Sequence, residues 1–181
     1  MSDAPVRVRR VLATEGERLR ALRLEALQDA AAGIAFLDTY ESAAARPGSF
    51  WDERAVGAAL TSSTAQFVAE LGSAWVGTAT ILVPEPALPD YFGRVREAGT
   101  ALLVAVYVAP QHRGRGILAR LIDAGAAWAG AQGCGILFLD VHEENARARA
   151  AYTRLGFTAT GRTIDGQNGR ELEMSRTLGD A

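Results

Sequence analysis

From Val6 to Val11 aliphatic residues alternate with arginine, which predicts a strand with one buried face. Thr14 and Glu17 then fit a capping box, and Leu19, Leu22, Ala26 and Leu27 recur at helical spacing, predicting a helix that runs to about Gly33. Ser49, with Asp52 and Glu53 after it, opens a second helix. Gln66 to Leu71 and Ala74 to Val83 read as two strands, with Gly72-Ser73 between them as a hairpin turn. The stretch Pro84 to Gly99 holds three prolines and no apolar period, so it is predicted to be a long loop of the functional kind. Ala101 to Val108 is apolar almost throughout, as a strand buried on both faces would be. A helix from about Gly114 to Ala131, a strand Ile136 to Val141, a helix Asn145 to Leu155 and two strands around Asp165 to Gly169 complete the order. The pattern therefore mixes hairpins with one β-α-β unit, and the absence of repeats or low-complexity tracts makes residues 1–181 one expected domain.

Composition narrows the function classes. Hydrophobic residues make up 49%, charged residues 22%, and the net charge is −2, which is the balance of a globular protein without a bulk nucleic-acid-binding surface. The longest apolar run, Ala101 to Ala109, is nine residues. That is half of the roughly 18 a membrane span requires. Met1 to Pro5 lack the cationic start and apolar stretch of a secretory signal, so the expected location is the cytoplasm. Cys134, the only cysteine, has no intrachain disulfide partner. All 19 basic residues are arginine. Coding bias accounts for that, but the lack of lysine still excludes a lysine-dependent phosphate loop and a pyridoxal Schiff base.

The strand Ala101 to Val108 is stopped by Pro110, and Gln111-His-Arg-Gly-Arg-Gly-Ile-Leu118 leads into an amphipathic helix carrying Leu121, Ile122 and Trp128. Unpaired N–H groups at a helix amino terminus attract anions, and Gly114 and Gly116 let a phosphate approach the backbone closely. Arg113 and Arg115 add mobile positive charge. Gly114-x-Gly116-x-x-Ala119, with Asp140 farther on, also satisfies a dinucleotide fingerprint and so admits an NAD(P)-binding oxidoreductase. Against it, Ala109 to Arg113 separate the strand from the glycines, and two β-α-β halves are not present.

A second motif runs from Asn145 to Phe157. Asn145 suits a helix N-cap and Gly156 a C′ position, whereas Tyr152, seven residues after Asn145 and near the same helical face, is not explained by capping. At these residues the chain resembles the GNAT superfamily of acyl-CoA-dependent N-acyltransferases. One motif is Q/R-x-x-G-x-G/A, here Gln111, Gly114 and Gly116, after the strand end Val106-Tyr-Val-Ala-Pro110. The other is N-x-x-A-x-x-x-Y-x-x-x-G-F, here Asn145, Ala148, Tyr152, Gly156 and Phe157.

The resemblance implies an α/β (α+β) fold: a mixed, largely antiparallel sheet of about seven strands splayed around acetyl-CoA, with helices on both faces. It implies that backbone groups of Val106 and Val108 pair with pantetheine. The amides of Arg113, Gly114, Arg115, Gly116, Ile117 and Leu118 would hold the pyrophosphate, and Gln111 counts among the cofactor-binding residues. Asn145 would contact the cofactor or fix its helix. The implied reaction is direct attack of a primary amine on the thioester through a tetrahedral intermediate, with Tyr152 protonating the departing thiolate and a backbone N–H, that of Val106, meeting the oxyanion.

A base is harder to place, because many relatives carry a glutamate on the central strand and Ala101 to Val108 contains no acid. Asp90, Glu97, Asp140 or a water chain remain open for that role, while His112 and His142 read as solvated loop residues. With Cys134 they lack zinc spacing, so no metal is expected. Phe36, Tyr40, Trp51, Tyr91 and Phe92, interleaved with Asp38, Glu41, Asp90 and Glu97, suggest an acceptor site suited to a cationic amine, either a small molecule or a peptide. A homodimer is compatible with the sequence. The competing reading is a GNAT-like domain that binds acyl-CoA without turnover.

Overall fold

The first alternating segment becomes strand β1, Arg7–Arg10, in a computed structural model that describes residues 5–179. Met1 to Ala4, on which most of the reading of the amino terminus rests, lie outside the described residues. Helix α1, Gly16–Ala26, follows, but not through the expected capping box. Glu15 takes the N-cap position without a side-chain cap. Its carboxylate instead accepts the Leu12 N–H at 2.9 Å and two bonds from Arg9, at 2.8 and 2.6 Å. The helix also ends at Ala26 rather than near Gly33. Asp29 accepts the Ala31 N–H at 2.9 Å, a local side-chain turn that competes with helix continuation. Two short helices then appear that the apolar pattern did not foretell, α2 (Ala32–Ala35) and α3 (Tyr40–Ala44), the latter capped by Thr39 Oγ1 accepting from Ser42 N–H at 3.2 Å. Helix α4, Gly48–Leu60, starts beside the expected Ser49.

Strands β2 (Thr64–Leu71) and β3 (Ala74–Leu82) form the expected hairpin, with Gly72 supplying the positive φ of 61° at its turn. After the long loop come β4 (Thr100–Val108), α5 (Ile117–Ala131), β5 (Ile136–His142), α6 (Ala146–Arg154), β6 (Thr158–Gly166) and β7 (Gly169–Thr177). The seven strands lie in the order β1-β2-β3-β4-β5-β7-β6, and only β4 and β5 are parallel. Such a sheet is not the doubly wound parallel sheet of a dinucleotide fold, and the oxidoreductase reading loses its scaffold.

Helices cover both faces. On one, α5 packs Leu121 and Ile122 against Phe67, Ile81 and Leu103, all buried. Gly125 permits this approach, since a Cβ there would lie 2.7 Å from Ile81 Cδ1. On the other face, Leu19 and Leu22 of α1 and Trp51 of α4 bury against Val68 and Tyr107. Among the described residues, no helix is long and apolar enough to cross a membrane.

Candidate active site

The parallel pair β4–β5 holds for only three partners, Thr100 with Ile136, Ala101 with Leu137 and Leu102 with Phe138. Beyond Leu102 the strands part, and the edge of β4 has no strand neighbour on that side among the described residues. Just there β4 carries a bulge: its register against β3 shifts between Thr78 and Thr80, and Ala105 takes a left-handed φ of 52°. A non-glycine residue held in that region marks local strain of the kind kept at working sites. The gap opens into a cavity of about 910 Å³.

Val106 and Val108 of β4 border this cavity, as do Arg113, Gly114 and Gly116 of the following loop. Both glycines have positive φ, 74° and 75°, and a Cβ at either would meet nothing within 4 Å. They are needed for the path of the chain and leave open space above it, a cradle that an oxygen-rich group can enter. Gly116 is also the N-cap of α5, so the first-turn N–H groups of Ile117 and Leu118 have no intrahelical acceptor and face an anion-attracting helix end.

Arg113 departs from the expected mobile cation. Its Nε donates to the Val108 carbonyl at 2.8 Å and its guanidinium pairs with Asp29, tying the loop to the end of β4 and to the turn after α1. Gln111 and Arg115 do not border the cavity; both are exposed on the outer side of the loop.

Asn145 and Tyr152 reach the cavity from α6. Asn145 is 8% exposed and caps the helix, its Oδ1 accepting the Ala148 N–H at 3.1 Å. Tyr152 is 9% exposed, its ring set edge-on to Phe157 at 5.8 Å between centroids, and burial pushes its phenol well above the ordinary value. No hydrogen bond to its hydroxyl forms among the described residues. The group is therefore a neutral donor at the cavity wall.

The acids proposed from sequence fare differently. The loop 84–99 docks on the sheet through a buried ion network in which Arg94 bonds Asp90 at 3.0 Å, Asp140 at 2.5 Å and Glu173 at 3.0 Å, while Arg96 bonds Asp90 and Glu173. Tyr91 adds a donated bond to Asp140 at 2.9 Å. Asp90 and Asp140 are thus held as arginine partners, and Glu97 is exposed and away from the cavity. His142 is 4% exposed, not a solvated loop residue. Its Nδ1 accepts the Glu144 N–H at 3.2 Å and its Nε2 faces the Asn168 carbonyl at 2.9 Å, so both ring nitrogens are engaged.

Sequence reasoning missed Glu171. It lies on β7, borders the cavity, and has no ion pair or hydrogen bond from its side chain among the described residues. Burial, helped by the charge of Asp140 and opposed by His142, raises its carboxyl above the usual range. The other acids bordering the cavity, Asp29, Asp38 and Asp140, are each paired with arginine. The strand pairing that sets Glu171 beside the opening joins β7 to β5, a long-range contact with no local motif to announce it.

The expected aromatic and acidic acceptor wall is only partly assembled. Phe36, Tyr91, Phe92 and Asp38 border the cavity, but Tyr40 and Glu41 are exposed away from it and Trp51 is core at 2% exposure. In place of more acids stand Arg23 of α1, Arg46 of the turn between α3 and α4, and Arg54 of α4.

The family model described as the Acetyltransferase (GNAT) family matches residues 24–157. Among solved structures, the chain is similar to the GNAT-family acetyltransferase of Streptococcus pneumoniae, with a TM-score of 0.78 at 16% identity over 97% of this chain and 100% of that one. The GNAT domain of S. lividans PAT aligns with a TM-score of 0.73 at 20% identity, covering 96% and 90% of the two chains. The PaiA N-acetyltransferase of Thermoplasma acidophilum, determined in complex with coenzyme A, aligns at 0.68 with 16% identity over 96% and 99%. No curated protein matches the chain in sequence.

Proposed function

The chain belongs to the GNAT acetyltransferase family, and on that premise we propose that it moves an acetyl group from acetyl-CoA to a primary amine by direct transfer. The observation that carries the reading is the parting of β4 and β5 after Leu102, which puts a free strand edge, a glycine-lined helix start and Tyr152 around one cavity. Acetyl-CoA supplies the activated thioester; the protein's part is to hold, orient and move protons. The edge of β4 offers the backbone groups of Val106 and the Val108 N–H to an amide-bearing arm as a neighbouring strand would, the Val108 carbonyl already accepting from Arg113 Nε. Gly114, Gly116 and the N–H groups of Ile117 and Leu118 receive the pyrophosphate, and Arg113 stiffens that loop. Arg115, outside the cavity lining, contributes charge at a distance.

Tyr152 serves as the acid: kept neutral by burial, it holds its proton until the thiolate forms. Glu171 serves as the base that an amine, mostly protonated at neutral pH with a pKa near ~10, requires. Its raised pKa moves it toward the range in which a carboxylate accepts protons usefully. The Val106 N–H, next to the bulge at Ala105, is the donor placed for the developing oxyanion.

Thermal melting with and without acetyl-CoA, followed by release of free thiol with a panel of amines, tests the reading. Stabilisation plus amine-dependent thiol release is expected. Stabilisation without release under any amine would instead favour an acyl-CoA-binding domain without turnover, and no stabilisation would remove the assignment.

A further inference from the structure

We propose that the acceptor amine also carries an anionic group, in the manner of an amino acid, and that Arg54 with Arg23 and Arg46 receives that carboxylate. The inference rests on the acetyltransferase reading and adds the acceptor's class to it.

The arginines lie on the α1–α4 side of the sheet, where Leu19, Trp51 and Tyr107 form the core, whereas the glycine cradle opens helix α5, which packs on the opposite face. They are therefore a cationic site separate from the one that suits a pyrophosphate. A small void joins Arg23 and Arg54 to Ala105 and Tyr107, so the cluster abuts the bulge of β4 where transfer would occur.

Three guanidinium groups share one acid. Asp38 bonds Arg46 at 3.2 Å and reaches Arg23 only at 3.8 Å. Arg54 has no ion pair or hydrogen bond among the described residues and opens into the cavity. Burial pushes Arg23 down to about 10, and it lowers Arg54 too, with Arg46 adding repulsion. A carboxylate entering between them would relieve that excess, and a planar guanidinium is suited to bind it in two-point fashion.

The opposite polarity stands on the other wall, where Glu171 is the unpaired acid. Asn168 at the β6–β7 turn donates from Nδ2 to the Phe36 carbonyl at 3.0 Å, so this wall meets the α2 segment across the cavity. A ligand with an amine at one end and a carboxylate at the other matches these two walls. A polycation would meet three arginines.

The test uses the full chain, acetyl-CoA, the twenty common amino acids, and spermidine and kanamycin as polycations; each amino acid turned over is re-assayed as its carboxamide. At least one amino acid should be acetylated with kcat/KM about tenfold or more above its carboxamide and above both polycations. Arg54→Ala, at a side chain with no internal partner, should raise the KM for that amino acid about tenfold, erase the preference over the carboxamide and leave the KM for acetyl-CoA unchanged. Arg46→Ala provides a second reading of the same loss. Equal or better turnover of carboxamides or polycations overturns the proposal while leaving the transferase intact, as does a preference that survives both substitutions. If acetyl-CoA neither stabilises the chain nor supports any turnover, the transferase reading fails and this proposal falls with it.

Discussion

Glu171 stands opposite His142 in the antiparallel register of β5 and β7, yet only the histidine side chain is tied up in hydrogen bonds among the described residues. The imidazole is engaged at both nitrogens, by the Glu144 N–H and the Asn168 carbonyl. The carboxylate has no such engagement among the described residues, and burial has already raised its affinity for a proton.

Glu171→Gln should therefore lower kcat/KM by about 10² or more with acetyl-CoA affinity retained. A base acts deprotonated, so the parent should lose activity as pH falls through the raised Glu171 pKa, above the usual carboxylate range. In Glu171→Gln that acid limb should vanish from the pH profile. A limb unchanged in the variant would move the role to another group.

Tyr152→Phe preserves the ring and its edge contact with Phe157 while removing the hydroxyl. A fall in kcat of about 10²–10⁴ is expected, with the acetyl-CoA dissociation constant nearly unchanged. Turnover within a few-fold of the parent would show that the tyrosine is a packing residue and that solvent protonates the thiolate.

At Gly116 the φ of 75° is unfavourable for a side chain although the space around it is open. Gly116→Val should cost about 1–2 kcal/mol in stability through backbone strain and weaken acetyl-CoA at least tenfold by obstructing the cradle. Calorimetric titration on a variant checked for folding by circular dichroism decides it; unchanged affinity would detach the loop from the pyrophosphate.

Arg113→Ala removes the tie to Val108 and leaves Asp29 without its partner. Both a lower melting temperature and a modest loss of acetyl-CoA affinity, about three- to tenfold, are expected, because the backbone donors remain. A variant with parental melting temperature and affinity would mean that the loop keeps its shape without the arginine.

Far from the cavity, Arg9 and then Leu12 hold the Glu15 carboxyl down at about 2. A carboxyl depressed in the folded state stabilises above its unfolded pKa of roughly 4.3, and that contribution is lost as pH falls toward the folded value. Glu15→Gln should lower stability at neutral pH by about 1–3 kcal/mol, and the gap from the parent should close between those two values. Urea unfolding at several pH values measures it.

The readable part of this chain was local. The β2–β3 hairpin announced itself through the two-residue turn Gly72-Ser73, and α5 and α6 through Gly116 and Asn145 at their starts, because turns and caps are written in adjacent residues. The same locality explains the misplaced end of α1: the apolar period continued past Ala26, but Asp29 offered the backbone a competing turn. Tyr152 and the glycines could be picked out because their motifs are contiguous along the chain.

What tertiary structure alone decided was which charges meet. Asp90 and Asp140 became arginine partners only once the loop 84–99 folded onto β5 and β7, and burial then required each carboxylate to be paired. Glu171 came to the cavity through strand pairing, and Arg23, Arg46 and Arg54 through the packing of α1, α4 and the turn before α4 on the sheet. Residues far apart in the chain share no spacing rule. Their juxtaposition follows from how the sheet and its two helical layers close, and that closure sets the charge each wall presents.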